Sequence, residues 1–490
     1  MGGRVRHRRD YRDRGGRIQR PSPLAFHGDL PDAAGSTVSG LHQGIEGASY
    51  RRGRSLSGKI LVVGAGVAGL TLAERMLARE SAESLVLVER GDRVGGLARS
   101  FQVEGYTFDI GPHRFHTAYP EVESYVRKVL AGGYLTIPRA SSVYLLGRYH
   151  DWPLTLSSVL RLPPRILLPS VLDLLRRNRI TSRTSFADHI RARYGENLYQ
   201  FFFRDYTRKF TGTDAEQLHL DWAEAGVNRA VIDRKVNADS LAAILRGLFS
   251  PKQATTQFIY PESGGIQAFA DGLARRIRSM GGKIKLNCEA RGVTTSGERV
   301  TGIELTNGER IPADRVYWSA PLTVLFPDRG LSFIHTVLYF LGLGKRRSNP
   351  YQWCYFGEKD VIFSRTTVPR NFFPGAVPEG RDSIAAEITC PVGSDVWKNP
   401  ERFEQRVMED LARVGAIDPD RVEFVTTRRI RETYPVYDLR YVEHLRSIQS
   451  PEGLVLLGRC GTFWYNNMDH SIAQALALSR GESFERDFWR

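Results

Sequence analysis

The pattern of apolar and polar positions divides the chain before any residue chemistry is considered. Residues 1–57 carry little apolar periodicity and are rich in Arg and Gly, which predicts a disordered tail. Residues 59–63, KILVV, form a short β-branched run that predicts a buried strand. Residues 67–79 show helical periodicity, and LVLV at 85–88 predicts a second strand. From 119 to about 249 the pattern is mostly helical, interrupted by YLLGRYHDWPL, which reads as a hairpin. A helix is expected over 266–280. Short strands follow it (KIKLNCE, RGVTTSG, RVTGIELTNGERI, DRVYWSAP), with Asn307-Gly308 at a turn. Residues 333–432 again read as strand-rich, with a helix at 401–414. An apolar strand at 453–458, GLVLLG, and a helix at 469–479 close the chain. No internal repeat is visible.

Between the first strand and helix, Gly64, Gly66 and Gly69 have the spacing G-x-G-x-x-G. The first glycine permits a tight turn, the second lets backbone approach a pyrophosphate, and the third lets helix pack on strand. Free N–H groups of Val67 and Ala68, at the positive end of the helix dipole, then face the phosphates. Glu89 ends the second strand about 20 residues later, where a ribose-binding acid belongs, with Arg90 beside it. This much predicts a dinucleotide without saying which one. Gly95-Gly96, followed by Leu97, is a second point of close backbone approach. That arrangement resembles a broad flavoprotein class of amine oxidases, carotenoid desaturases and protoporphyrinogen oxidases, and the resemblance implies FAD. Ala290, Gly458, Arg459, Asn467, Met468 and Asp469 complete the expected cofactor contacts. The expected fold is α/β. A Rossmann-type FAD-binding domain (58–118, 258–330 and 436–490) is interrupted by a mainly helical insertion (119–257) and a β-rich substrate domain (331–435).

Composition narrows the picture only slightly. The 490 residues allow two or three domains, and 41% hydrophobic with 25% charged residues fits a soluble globular protein. The net charge of +15 favours anionic ligands, and +6 of it falls in residues 1–57. No nucleic-acid motif accompanies it, so no nucleic-acid partner is expected. The four cysteines are far apart and form no C-x-x-C, which argues against zinc or a disulfide scaffold and suits a cytoplasmic location. No apolar run reaches the roughly 18 residues of a membrane span. The nearest, 159–175, is broken by Arg161, Arg165 and three prolines and reads as a surface or interdomain helix.

The segments DIGPHRFHT, DYTRKFTG, FIYPESGG, TYPVYDLRY and GRCGTFWYNNMDHSI occur in the order of one flavoprotein family. Over about 59–478 the chain resembles the UDP-galactopyranose mutases and the mutase-like proteins grouped with protoporphyrinogen oxidase. In such mutases a reduced flavin acts on the anomeric carbon of a nucleotide sugar, the diphosphate departs, and the sugar recloses as a furanose without net redox change. NAD(P)H or another reductant is a possible source of the reduced flavin. The resemblance implies Arg365 as a diphosphate clamp, and Tyr206, Tyr437 and Tyr465 as hydroxyl partners. It also implies His113 in a mobile loop beside the flavin, titrating near neutrality, and Arg459 near both flavin and sugar. The second family arginine falls near Gly226, with Arg229 as a substitute, and Phe210 stands where the family usually has tryptophan. The ending MDHS also departs from the mutases' usual order. Two readings remain open: a nucleotide-sugar mutase, or an FAD-dependent oxidoreductase removing hydride from a small molecule.

Overall fold

The run Ile60–Val63 is the middle strand of a five-stranded parallel sheet. Leu85–Val88 and Lys283–Lys285 lie on one side of it, Arg315–Trp318 and Leu454–Leu456 on the other. Parallel strands covered on both faces read as unbroken apolar runs, which is why this one carries no alternation. The computed structural model describes residues 58–79, 85–152, 163–175, 184–223, 256–345 and 349–484. The expected tail, and Gly226 and Arg229, lie outside them.

Helix Val67–Leu77 buries all but one of its residues, because the sheet covers one side and helices Gln267–Ser279 and Met468–Ser479 cover the other. Leu70 and Leu72 are fully buried, each contributing about 2 kcal/mol by removal from water. Gly69 makes the close packing possible: a Cβ there would sit 2.0 Å from the Gly64 carbonyl oxygen. Helix Pro120–Leu130, assigned by sequence to the helical insertion, packs on this same core through Val122, Val126 and Val129. Its Tyr125 and the Arg276 of Gln267–Ser279 both bond the wholly buried Glu74. A polar link thus ties three helices together.

A seven-stranded sheet forms the second layer. Its order is Val422–Pro435, Phe333–Leu343, Asp382–Cys390, Arg365–Thr367, Trp353–Phe356, Ser141–Leu145, Arg148–Asp151. The last two strands are the expected hairpin. They do not stay with the helices but join the strand-rich segment, Ser141–Leu145 running parallel to Trp353–Phe356. The insertion is therefore mixed: Tyr134–Pro138 also pairs with Gln257–Pro261 across its two ends. Its helical part includes Pro164–Leu175, Phe186–Tyr194 and the continuous run from Glu196–Leu198 through the wide turn Tyr199–Arg204 to Asp205–Thr211. Among the described residues no helix is long and apolar enough to cross a membrane.

Candidate flavin and substrate site

A cavity of about 450 Å³ opens at the carboxyl ends of the parallel strands. Gly64, Gly66, Val67 and Ala68 border it at the first turn, with Glu89 and Arg90 at the end of the second strand. Gly96, Leu97 and Ala290 line its flank. Gly458, Arg459, Asn467 and Met468 line its far end, with His113. Two expected cofactor residues lie off it. Gly69 serves helix packing, and Asp469 borders a separate smaller cavity, its carboxylate paired with His470 at 2.9 Å.

The local geometry explains why these residues make an extended, phosphate-accepting groove. Gly64 takes φ +96°, the left-handed region that the turn requires. Gly66 and Gly96 approach so closely that a Cβ on Gly96 would lie 2.9 Å from the Gly66 Cα, and the Gly95 N–H bonds the Ala65 carbonyl at 2.8 Å. The second glycine pair thus clamps onto the first. Glu89 accepts from the Ala65 and Gly91 amides at 2.8 and 2.9 Å, which fixes its carboxylate and leaves acceptor capacity for ribose hydroxyls. Helices Val67–Leu77 and Met468–Ser479 both begin at the cavity without a side-chain cap, so two positive helix ends face it. Asn466 borders it too, and its buried amide Nδ2 has no partner among the described residues. A long ligand with phosphates at one end and hydrogen-bond acceptors at the other satisfies each of these groups.

Beyond the cavity lies a cluster of arginines and tyrosines. The Arg459 guanidinium bonds the carbonyls of Thr433 (2.9 Å) and Asn466 and lies 5.3 and 5.4 Å from the Tyr434 and Tyr465 rings. Tyr434 bonds Arg365 at 3.1 Å. Arg365 is already engaged, through a bidentate contact to buried Glu387 at 2.8 and 2.6 Å, so the expected diphosphate clamp carries its own counter-charge. Tyr206 packs against Phe210 and edge-on to Tyr355, and burial pushes the hydroxyls of Tyr206 and Tyr465 far above their usual range.

Two expectations are corrected. Tyr437 is core: it is 1% exposed and stacks on Tyr441 at 4.4 Å. Its hydroxyl accepts the Tyr465 N–H at 2.7 Å, so it shapes the loop, and Tyr434 is the ring that meets the arginines. His113 does not titrate near neutrality. Burial first, then the charges of Arg459, Arg365 and Arg114, hold its imidazole down at about 3. Sequence reasoning also missed Glu387, Tyr355, Arg114 and Asn466. Only Glu387 left a signal, as an acid in the apolar middle of the strand Asp382–Cys390.

A family model described as flavin-containing amine oxidoreductase matches residues 67–333, more than half of the chain. The chain belongs to this family. Its cofactor is FAD, and the groove, the two helix ends and the orphaned Asn466 amide fit it. The chain is 27% identical over 384 residues to the zeta-carotene-forming phytoene desaturase of Myxococcus xanthus, covering 68% of the chain and 72% of the relative. It is 19% identical over 438 residues to a coproporphyrinogen III oxidase of Staphylococcus aureus, covering 80% and 91%. Among solved structures it resembles a reduced UDP-galactopyranose mutase, with a TM-score of 0.74 and 22% identity over 87% of this chain and 93% of that one. That likeness is one of fold.

Proposed function

We propose that this flavoenzyme acts on an anionic, polyhydroxylated substrate, and specifically that it interconverts the pyranose and furanose forms of a nucleotide sugar. The observation carrying this reading is an imbalance of charge. Unlike Arg365, neither Arg459 nor Arg114 has a carboxylate within 4.0 Å among the described residues. Guanidiniums withdrawn from water without a counter-ion are costly, and a diphosphate supplies what is missing. A protonated amine would instead add positive charge, which argues against amine oxidation. A neutral hydrocarbon would leave the arginines unpaired.

In this reading Arg459 orients the substrate's anionic group, while Tyr434, Tyr465 and Tyr206, neutral and clustered, hydrogen-bond phosphate or sugar oxygens. His113 stays neutral beside the cavity. Bound in reduced form, FAD would supply nucleophilic chemistry, and these side chains would hold the sugar's anomeric carbon and diphosphate against it. The helix end at Asn467 and Met468, which lines the cavity, would favour negative charge on the bound cofactor. The second reading, hydride removal from an anionic substrate, is favoured by the desaturase and oxidase among the relatives.

The test is to incubate dithionite-reduced enzyme with a panel of nucleotide sugars and separate the products by chromatography. Ring-isomerised product without stoichiometric use of reductant supports the mutase. Stoichiometric reduction of an acceptor with no isomerisation overturns it in favour of the oxidoreductase.

A further inference from the structure

The strand Val422–Pro435 breaks its ladder where it passes the flavin cavity. Its pairing with Phe333–Leu343 shifts register: Ile430 lies opposite Thr336, and Tyr434 opposite Ile334. Four steps on one strand therefore oppose two on the other, and the two extra residues form a bulge. Within it Glu432 takes φ +48°, the left-handed region that is costly for a residue with a Cβ. Glu104 and Leu146 take such angles in hairpin turns and Ala131 at a helix end, where they are ordinary. Glu432 takes one inside a strand. Its backbone is fixed there, the N–H donating to His335 Nδ1 at 3.1 Å and the carbonyl accepting from Cys460 Sγ at 3.5 Å. Strain maintained by its surroundings in this way is characteristic of ligand clamps.

The bulge delivers the Glu432 carboxylate to Arg90, whose Nη2 donates to Oε2 at 2.9 Å. Both residues line the flavin cavity. Arg90 follows Glu89 at the end of the parallel-sheet strand Leu85–Val88, whereas Glu432 belongs to the seven-stranded sheet. The pair thus ties one wall of the cavity to another. The side chains are 41% and 19% exposed, which puts the pair on the solvent side. Glu89 and Glu289 also act on Arg90, but among the described residues Glu432 is the acid within 4.0 Å of it. An acid on the wall of a cavity for a diphosphate-bearing cofactor would repel that cofactor if it stood alone. Cofactor contact therefore does not account for Glu432, and a tie between walls does.

We infer that Arg90 and Glu432 form a clasp that retains FAD: the pair joins the parallel sheet to the substrate sheet beside the cavity and parts when the cofactor enters or leaves. The clasp slows release and takes no part in the chemistry at the flavin. It concerns retention alone and holds for either substrate reading.

The test dilutes FAD-loaded enzyme into cofactor-free buffer and follows release by flavin absorbance in ultrafiltrates taken at intervals. Glu432→Gln and Arg90→Gln should each release FAD about 3- to 10-fold faster than wild type, with the bound flavin spectrum unchanged. The charge swap, Arg90→Glu with Glu432→Arg, should recover most of the loss. Glu432→Gly, which suits φ +48°, should hasten release by the same factor without lowering Tm, separating the clasp from backbone strain. Faster release from Arg90→Gln with unchanged or slower release from Glu432→Gln would show that Arg90 holds the cofactor directly, and would overturn the clasp. Unchanged release in both single variants, or a swap as fast as the singles, would overturn it too. If Glu432→Gln does not fold, Glu432→Gly and Arg90→Gln carry the same comparison.

Discussion

The Arg365–Glu387 pair makes a strong prediction because it is both buried and bidentate. The side chains are 14% and 4% exposed, and the contacts are 2.8 and 2.6 Å. Glu387→Gln keeps the volume but removes the counter-charge, so Arg365 becomes a third uncompensated cation beside Arg114 and Arg459. Breaking one side of such a pair costs about 3–5 kcal/mol. With an unfolding entropy of about 2.1 cal/mol/K per residue over a 490-residue chain, roughly 1 kcal/mol/K, Tm should fall by about 3–5 °C. The assay is urea and thermal unfolding followed by circular dichroism at one fixed, saturating FAD concentration, since free cofactor shifts apparent stability. Replacing both partners, Arg365→Met with Glu387→Met, should return most of the loss, because two apolar side chains leave no orphaned charge. A loss under about 1 kcal/mol for Glu387→Gln, the value of a surface pair, would refute the reasoning. So would a double variant less stable than the single one.

Other consequences concern pH, the two neighbouring tyrosines and the glycine clamp. His113 has an unfolded pKa of about 6.5 and a folded one of about 3, so between these values only the unfolded chain takes up the proton. Stability should therefore fall with acidification by about 1.4 kcal/mol per pH unit, roughly 2 kcal/mol from pH 6.5 to 5, and His113→Gln should remove that slope. An equal slope in both proteins would show that His113 is not held neutral. Tyr437→Phe removes the hydroxyl that accepts from the part-buried Tyr465 N–H and should cost about 1–3 kcal/mol of stability in denaturant titrations. Tyr434→Phe should instead lower kcat/KM about tenfold or more with a smaller change in stability, and the reverse pattern would restore Tyr437 to the site. Gly96→Ala and Gly458→Ala should each yield protein with little bound flavin by absorbance, since their Cβ atoms would meet Gly66 and Ala68 at 2.9 and 2.8 Å at positive φ. Full flavin occupancy in both would contradict the close approach.

The cofactor half of this protein was legible because its determinants are local. A tight turn, a helix end and an acid at the next strand's end depend on residues within about 30 positions of one another. Glycine spacing encodes them without any knowledge of distant contacts. The same holds for the Asn307-Gly308 turn, where Gly308 takes φ +86° and the Asn307 side chain accepts the Glu309 N–H. The ends of Val67–Leu77, Gln267–Ser279 and Met468–Ser479 were read to within about two residues because local apolar periodicity marks them, whereas the helix expected at 401–414 begins only at Glu404.

What only tertiary structure decided are the long-range pairings and the directions of side chains. The hairpin strand Ser141–Leu145 joins Trp353–Phe356 more than 200 positions away, and nothing in its own alternation names that partner. Tyr434 and Tyr437 sit three apart in one motif, yet one meets Arg365 and the other stacks in the core, because the strand ends between them and the chain turns. Arg365 reads from sequence as a free cation. Its strand pairs it with Glu387 in register, and that neutralises it. Arg114 was invisible for the converse reason: in GPHRF it is one arginine among many in a basic chain, and only the folded protein places it against the Phe258 and Trp353 rings, with no carboxylate within 4.0 Å among the described residues. Sequence determined that the cofactor is FAD and which family the chain belongs to; the charge balance around the cavity depends on contacts made across the whole fold.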